Sequence, residues 1–158
     1  MSKRSWFAVA VMFFSCVTAN AEDANTKMAN VTQNINDRMK DMDVAEIMNQ
    51  CNETFRIEMA YLEALNESGS FPDETDKTPK CYLRCVLENV AIMSTDGEFD
   101  PERTALMFAG ERAGKVMEGL QDMATTCSNR KEACKCERSY NYLKCLMTME
   151  IEKYENKN

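Results

Sequence analysis

The chain has 158 residues, with 19 basic against 26 acidic side chains, a net charge of −7 and no histidine. The missing imidazole excludes Ser-His and Cys-His nucleophilic schemes and every metal site built on histidine. The basic residues lie scattered among acids rather than in a stripe, which argues against nucleic acid as a partner and reads as a solubilising surface. No catalytic residue, metal ligand or cofactor is expected, and the chain is not expected to be an enzyme.

The first segment reads as a secretory leader. Lys3 and Arg4 precede an apolar run from Trp6 to Phe14, and small residues end at Ala19-Asn20-Ala21, which places cleavage before Glu22. The run is shorter than the roughly 20 residues that a membrane-spanning helix needs. No membrane insertion is expected, and the mature chain belongs in extracellular fluid with a charge of about −9 once Lys3 and Arg4 are removed. Residues 22–42 form a polar lead-in where Met28, Val31, Ile35, Met39 and Met42 recur at helical spacing. Residues 43–158 form the domain.

Asp43 with Glu46 makes a capping box, predicting a helix through Ile47 and Cys51 to about Phe55. A second follows to about Leu65, with no clear break between the two. Gly69, Phe71, Pro72 and Asp73 mark a loop. Thr78-Pro79 then supplies an N-cap and a first-turn proline for the helix carrying Cys81 and Cys85, which should end near Met93. Asp96-Gly97 is a turn. Asp100-Pro101 opens a short helix through Phe108, closed by Gly110. Val116, Leu120 and Met123, at i, i+4 and i+7, predict a helix leading to Cys127, and Asn129 with Glu132 caps the last helix. Six helices result, with no sustained period-two alternation, so the fold class is all-α.

Seven cysteines remain after the leader: Cys51, Cys81, Cys85, Cys127, Cys134, Cys136 and Cys145. In a secreted chain they read as structural crosslinks, and the paired Cys-x2-Cys knuckles that zinc favours are missing. Cys81 and Cys85 project from one helical face a turn apart, so they can tie two different segments to the same helix. Cys136 and Cys145 fall on opposite sides of theirs. At about 2–4 kcal/mol each, three disulfides are large beside a net stability of roughly 5–15 kcal/mol. Such a bundle tolerates an internal hollow better than an unlinked one.

Without Cys134 the pattern is Cys51-x29-Cys81-x3-Cys85-x41-Cys127-x8-Cys136-x8-Cys145, which resembles the six-cysteine signature of the insect odorant-binding proteins, pheromone and general types included. The segment Lys80-Cys-Tyr-Leu-Arg-Cys-Val-Leu-Glu-Asn-Val-Ala-Ile-Met93 and the following Asp96-Gly97-Glu98-Phe99-Asp100 also resemble that family's third helix and next turn. The likeness runs from about Asp43 to Met149. Spacing alone leaves the fifteen connectivities open to six cysteines; the resemblance implies Cys51–Cys85, Cys81–Cys136 and Cys127–Cys145. It also implies a compact bundle of about six helices around an apolar cavity. Cys134 departs from the pattern, either as a free thiol or as a dimer-forming one.

The resemblance further implies a carrier that reversibly binds a small hydrophobic ligand such as an odorant, a pheromone or a lipid-like molecule, with an olfactory receptor or a second copy as further partners. It places the cavity among the later helices, so the expected lining is Met93, Met107, Phe108, Val116, Met117, Leu120, Tyr140, Leu143 and Met147. The hydroxyls of Tyr140 and Tyr142 are candidate polar anchors. Thirteen methionines serve either as core filler or as an adaptable pocket wall. Beyond Cys145 the tail either continues the helix or folds back as a lid. Some relatives release ligand on acidification with histidine involved; here only carboxylates such as Glu150, Glu152 and Glu155 are available for that. Asn30, Asn52 and Asn66 open glycosylation sequons, Asn66 being the best placed. The competing reading is a secreted interaction, signalling or reproductive-fluid protein on the same scaffold, with a filled core and no small-molecule ligand.

Overall fold

The structure is a computed structural model that describes residues 42–155. The expected leader, the lead-in up to residue 41 and the Asn30 sequon lie outside the described residues. Asp43 caps α1 (Val44–Phe55) as its sequence suggests, its carboxylate accepting the Glu46 N–H at 3.0 Å. No glycine or proline separates α1 from α2 (Met59–Ser68). Arg56 takes the left-handed conformation at φ 51° and donates its N–H to the Asn52 carbonyl, while the Asn52 side chain accepts the Ile57 N–H at 2.9 Å. One asparagine thus supplies the helix stop that the sequence did not display. Gly69 ends α2 at φ 77°, and a Cβ there would lie 2.9 Å from Thr148 Oγ1, so the close approach also requires glycine.

Asp76, not Thr78, caps α3 (Lys77–Asn89), accepting the Thr78 N–H at 2.9 Å, and Pro79 falls within the first turn. The helix stops at Asn89 rather than near Met93. Ala91 turns to φ 56°, and the N–H groups of Ile92 and Met93 both donate to the Leu87 carbonyl. α4 (Pro101–Met107) follows its expected cap, with Asp100 accepting the Arg103 N–H at 2.9 Å.

The largest departure lies at the expected Val116 helix. Glu111–Arg112 (β1) and Lys115–Val116 (β2) pair as a short antiparallel hairpin. Its two turn residues, Ala113 at φ 50° and Gly114 at φ 71°, have the positive φ values of a type I′ turn, which matches the twist of paired strands. α5 (Leu120–Ser128) starts only after Gly119. The last helix, α6 (Lys135–Tyr154), has Cys134 as its N-cap residue; Asn129 closes α5, and the Glu132 carbonyl accepts two bonds from the Arg138 guanidinium. The tail past Cys145 continues this helix through Tyr154.

Six helices and one hairpin therefore make up the described residues. Cys51–Cys85 joins α1 to α3, Cys81–Cys136 joins α3 to α6, and Cys127–Cys145 joins α5 to α6, the pairing that the resemblance implies. Cys134 is exposed and free. α6 packs on α2, α3 and α5, and α1 packs on α3. The core between them holds Leu83, Leu87, Leu120, Met123, Ala124, Leu143 and Leu146. Beside Cys81–Cys136 the buried Lys80 ammonium meets Glu137 at 2.9 Å, so the one deeply placed lysine among the described residues is paired.

Cys51–Cys85 closes a loop of 34 residues in sequence separation. Its loss through Cys51→Ser with Cys85→Ser should cost about 3–4 kcal/mol in denaturant unfolding. An unchanged unfolding midpoint would show that α1 is held by packing alone.

Candidate ligand-binding site

Between α1, α2, α3 and α6 lies a partly open cavity of about 310 Å3. α1 contributes Val44 and Met48, α2 contributes Leu62, Leu65 and Asn66, and α3 contributes the i, i+4 pairs Tyr82/Val86 and Leu83/Leu87. These pairs adjoin the cysteine stripe of α3, so the residues that fix the helix and those that line the hollow alternate around it. Val90 and Ile92 beyond α3, Met107 and Phe108 at the end of α4, and Leu143 and Met147 of α6 complete the wall. Apart from Asn66 and the Tyr82 hydroxyl the lining is apolar. Tyr82 hydrogen-bonds no described residue, and burial pushes its phenol above the ordinary value.

Of the nine expected lining residues, Met107, Phe108, Leu143 and Met147 face this cavity. Met117 lines a neighbouring hollow instead, together with Phe108 and Met147. The remaining four lie elsewhere. Val116 is 64 % exposed on the hairpin, because the segment expected as a helix folds as a strand pair. Leu120 is core on α5, and Met93 is buried where its strand-like bridge to Phe99 and the Ser139 hydroxyl reach it. Tyr140 is buried against Phe71, with ring centroids 4.4 Å apart.

Neither proposed tyrosine anchor is free. The Tyr140 hydroxyl accepts the Phe71 N–H at 3.0 Å and donates to the Glu74 carboxylate. Burial, and then the bond to Glu74, push its phenol far above the ordinary value. Tyr142 shares a 2.6 Å hydrogen bond with the Thr104 hydroxyl and stacks on Phe99. These tyrosines hold the fold together, whereas Tyr82 of α3 lines the cavity. Helical spacing of Leu62, Leu65 and Asn66, and of Tyr82, Leu83, Val86 and Leu87, was the available signal for the wall formed by the earlier helices.

The hairpin is pinned to the end of α6. Arg112 donates from Nε to Glu155 at 2.7 Å, from Nη1 to Glu150 at 3.3 Å, and from Nη2 to the Asn66 carbonyl. The Tyr154 hydroxyl bonds both the N–H and the carbonyl of Glu118, and Lys115 reaches the Tyr154 carbonyl. Glu150 is 2 % exposed, while Glu152 and Glu155 are exposed. Burial raises the Glu150 carboxyl above the ordinary carboxylate value, and Arg112 offsets only part of that rise.

Three disulfides and six helices around an apolar hollow define a crosslinked helical domain. The chain belongs to the PBP/GOBP family, whose model matches residues 32–149. General odorant-binding protein 84a of Drosophila melanogaster is 27 % identical over 117 residues, or 73 % of this chain. The match spans 63 % of that relative, so the chain covers less than two thirds of its length. Among solved structures, the medfly odorant-binding protein CcapOBP22/CcapOBP69a matches 66 % of this chain and 85 % of its own, at 17 % identity and a TM-score of 0.49. The fatty acid binding protein OBP56a from the oral disk of the blowfly Phormia regina matches 69 % of this chain and 90 % of its own, at 16 % identity and a TM-score of 0.49.

The raised Glu150 fixes the sign of one pH effect. The folded state holds the Glu150 proton more tightly than the unfolded chain does, so this group lowers stability above its raised value. That cost is relieved as pH falls toward the ordinary carboxylate value. Glu150→Gln should therefore raise the melting temperature more at pH 8 than at pH 5. A pH-independent difference between variant and parent would contradict this.

Proposed function

We propose that the protein is a secreted carrier that binds a small hydrophobic ligand reversibly in the cavity between α1, α2, α3 and α6. The observation that carries the reading is a lining almost wholly apolar, in a chain of the odorant-binding family. Burial of apolar surface drives such binding at about 25 cal/mol per Å2, without covalent chemistry. Met48, Met107 and Met147 in the wall adapt to related ligand shapes because their side chains are flexible and polarizable. No described helix is long and apolar enough to cross a membrane, and the sequence of residues 1–21 supports export with cleavage before Glu22.

The full chain expressed in insect cells should be recovered from the medium with Glu22 at its N-terminus. That protein should take up the fluorescent apolar probe N-phenyl-1-naphthylamine. Val86→Trp or Leu62→Trp, each placing an indole in the hollow, should weaken the uptake by about tenfold or more while the protein stays folded. A folded, exported protein that takes up no probe would favour the interaction-protein reading and overturn this one.

A further inference from the structure

Two glycosylation sequons lie among the described residues, Asn52-Glu53-Thr54 in α1 and Asn66-Glu67-Ser68 in α2. Attached sugars are bulky and strongly hydrated, so a folded protein accommodates them only on an asparagine whose side chain reaches water. The two sites differ on that ground.

Asn66 is exposed, and it alone is exposed among the residues that line the apolar cavity, so it stands at the rim. Its Oδ1 accepts from Arg112 Nη1 at 3.3 Å, and its backbone carbonyl accepts from Nη2. A guanidinium has donors only, which turns the amide oxygen toward Arg112 and the amide nitrogen away from it. Nδ2 bonds no described residue. A glycan on Nδ2 therefore leaves in place the bonds that hold the hairpin to α2.

Asn66, Glu67 and Ser68 are also the last three residues of α2, which Gly69 ends in the left-handed conformation. The Ser68 hydroxyl bonds only locally, to the Ala64 carbonyl at 2.7 Å and the Ser70 carbonyl at 3.3 Å. α2 carries no cysteine, and the terminal turn of a helix without a crosslink opens at little cost. Asn52 is placed otherwise. It is half-buried, its Oδ1 accepts the Ile57 N–H at 2.9 Å, and it adjoins the buried Cys51, which is bonded to Cys85.

We propose that Asn66 is an N-glycosylation site that carries its glycan at the rim of the apolar cavity. The inference rests on the export part of the carrier reading, because the chain meets the sugar donor only on the secretory route. That donor is an oligosaccharide linked to a lipid pyrophosphate. Asn66 Nδ2 forms a bond to the anomeric carbon, and the bond from that carbon to the pyrophosphate oxygen breaks. The lipid pyrophosphate leaves with the electron pair, and Nδ2 gives up one proton. The amide keeps its oxygen, and with it the bond from Arg112. The sugars stay in water, since burying their hydroxyls in an apolar hollow without partners is costly.

Trypsin cuts after Arg56 and Lys77, so Asn66 is the only asparagine of the peptide Ile57–Lys77. In the full chain exported by insect cells, that peptide should carry the mass of a glycan. Peptide-N-glycosidase A should remove the glycan and leave aspartate at position 66. Ser68→Ala keeps Asn66 and its bonds from Arg112 but removes the hydroxyl that the sequon requires, and should abolish the modification, whereas Ser68→Thr should retain it. An exported chain with an unmodified peptide, or a modification that persists in Ser68→Ala, would overturn the site and leave the carrier reading standing. The peptide from the unaltered chain decides the matter even if a variant fails to fold. Retention of the unaltered chain inside the cells would overturn export and the site together.

Discussion

Cys81 and Cys85, one turn apart on the same face of α3, bind that helix covalently to α6 and to α1. The rest of the structure depends on this double attachment. Apolar helices left to themselves close on one another until the space between them is filled, because an empty apolar hollow forfeits contacts on every side. Here three of the four cavity walls, α1, α3 and α6, are helices that the bonds hold at a set separation, with Cα atoms 5.9 Å apart at Cys51–Cys85 and 4.5 Å apart at Cys81–Cys136. Cys127–Cys145 adds α5 to the far flank of α6. Side-chain choice then has only to keep the interior apolar, and the methionine-rich wall meets that condition.

The sequence carried most of the scaffold openly and the site only in part. Asp43 and Asp100 were legible as caps because a side-chain acceptor before an apolar-periodic run has one common use. The cysteine pairing was legible through the family spacing, since each bond joins residues far apart in the chain and no local rule selects among them. Asn52 was misleading for the opposite reason. Its role depends on reaching the Ile57 N–H five residues on, and nothing in the neighbouring composition announces that the chain will turn at Arg56.

The Val116 segment shows how two readings of one pattern compete. Val116, Leu120 and Met123 fit a helical period, but Gly114 and Gly119 permit positive φ on both sides of Val116, and Ala113 is drawn into it beside Gly114. Backbone geometry prevailed over apolar spacing, leaving Val116 exposed and turning Arg112 toward α6. The polar contacts that resulted, Arg112 with Glu150 and Glu155 and Tyr154 with Glu118, tie segments about forty residues apart. Such pairings lie beyond any local window. The same limit explains why Tyr140 and Tyr142 read as free hydroxyls until their partners, Glu74 and Thr104, were brought beside them by the fold.

A hollow kept open by covalent crosslinks is the claim from which everything else follows, and crystal diffraction under xenon pressure measures it without any knowledge of the natural ligand. Xenon enters dry apolar cavities and ignores solid cores. An anomalous peak is expected within the space bounded by Leu83, Leu87, Leu143 and Met147. Crystals that take up no xenon there, with those side chains in mutual contact, would contradict it.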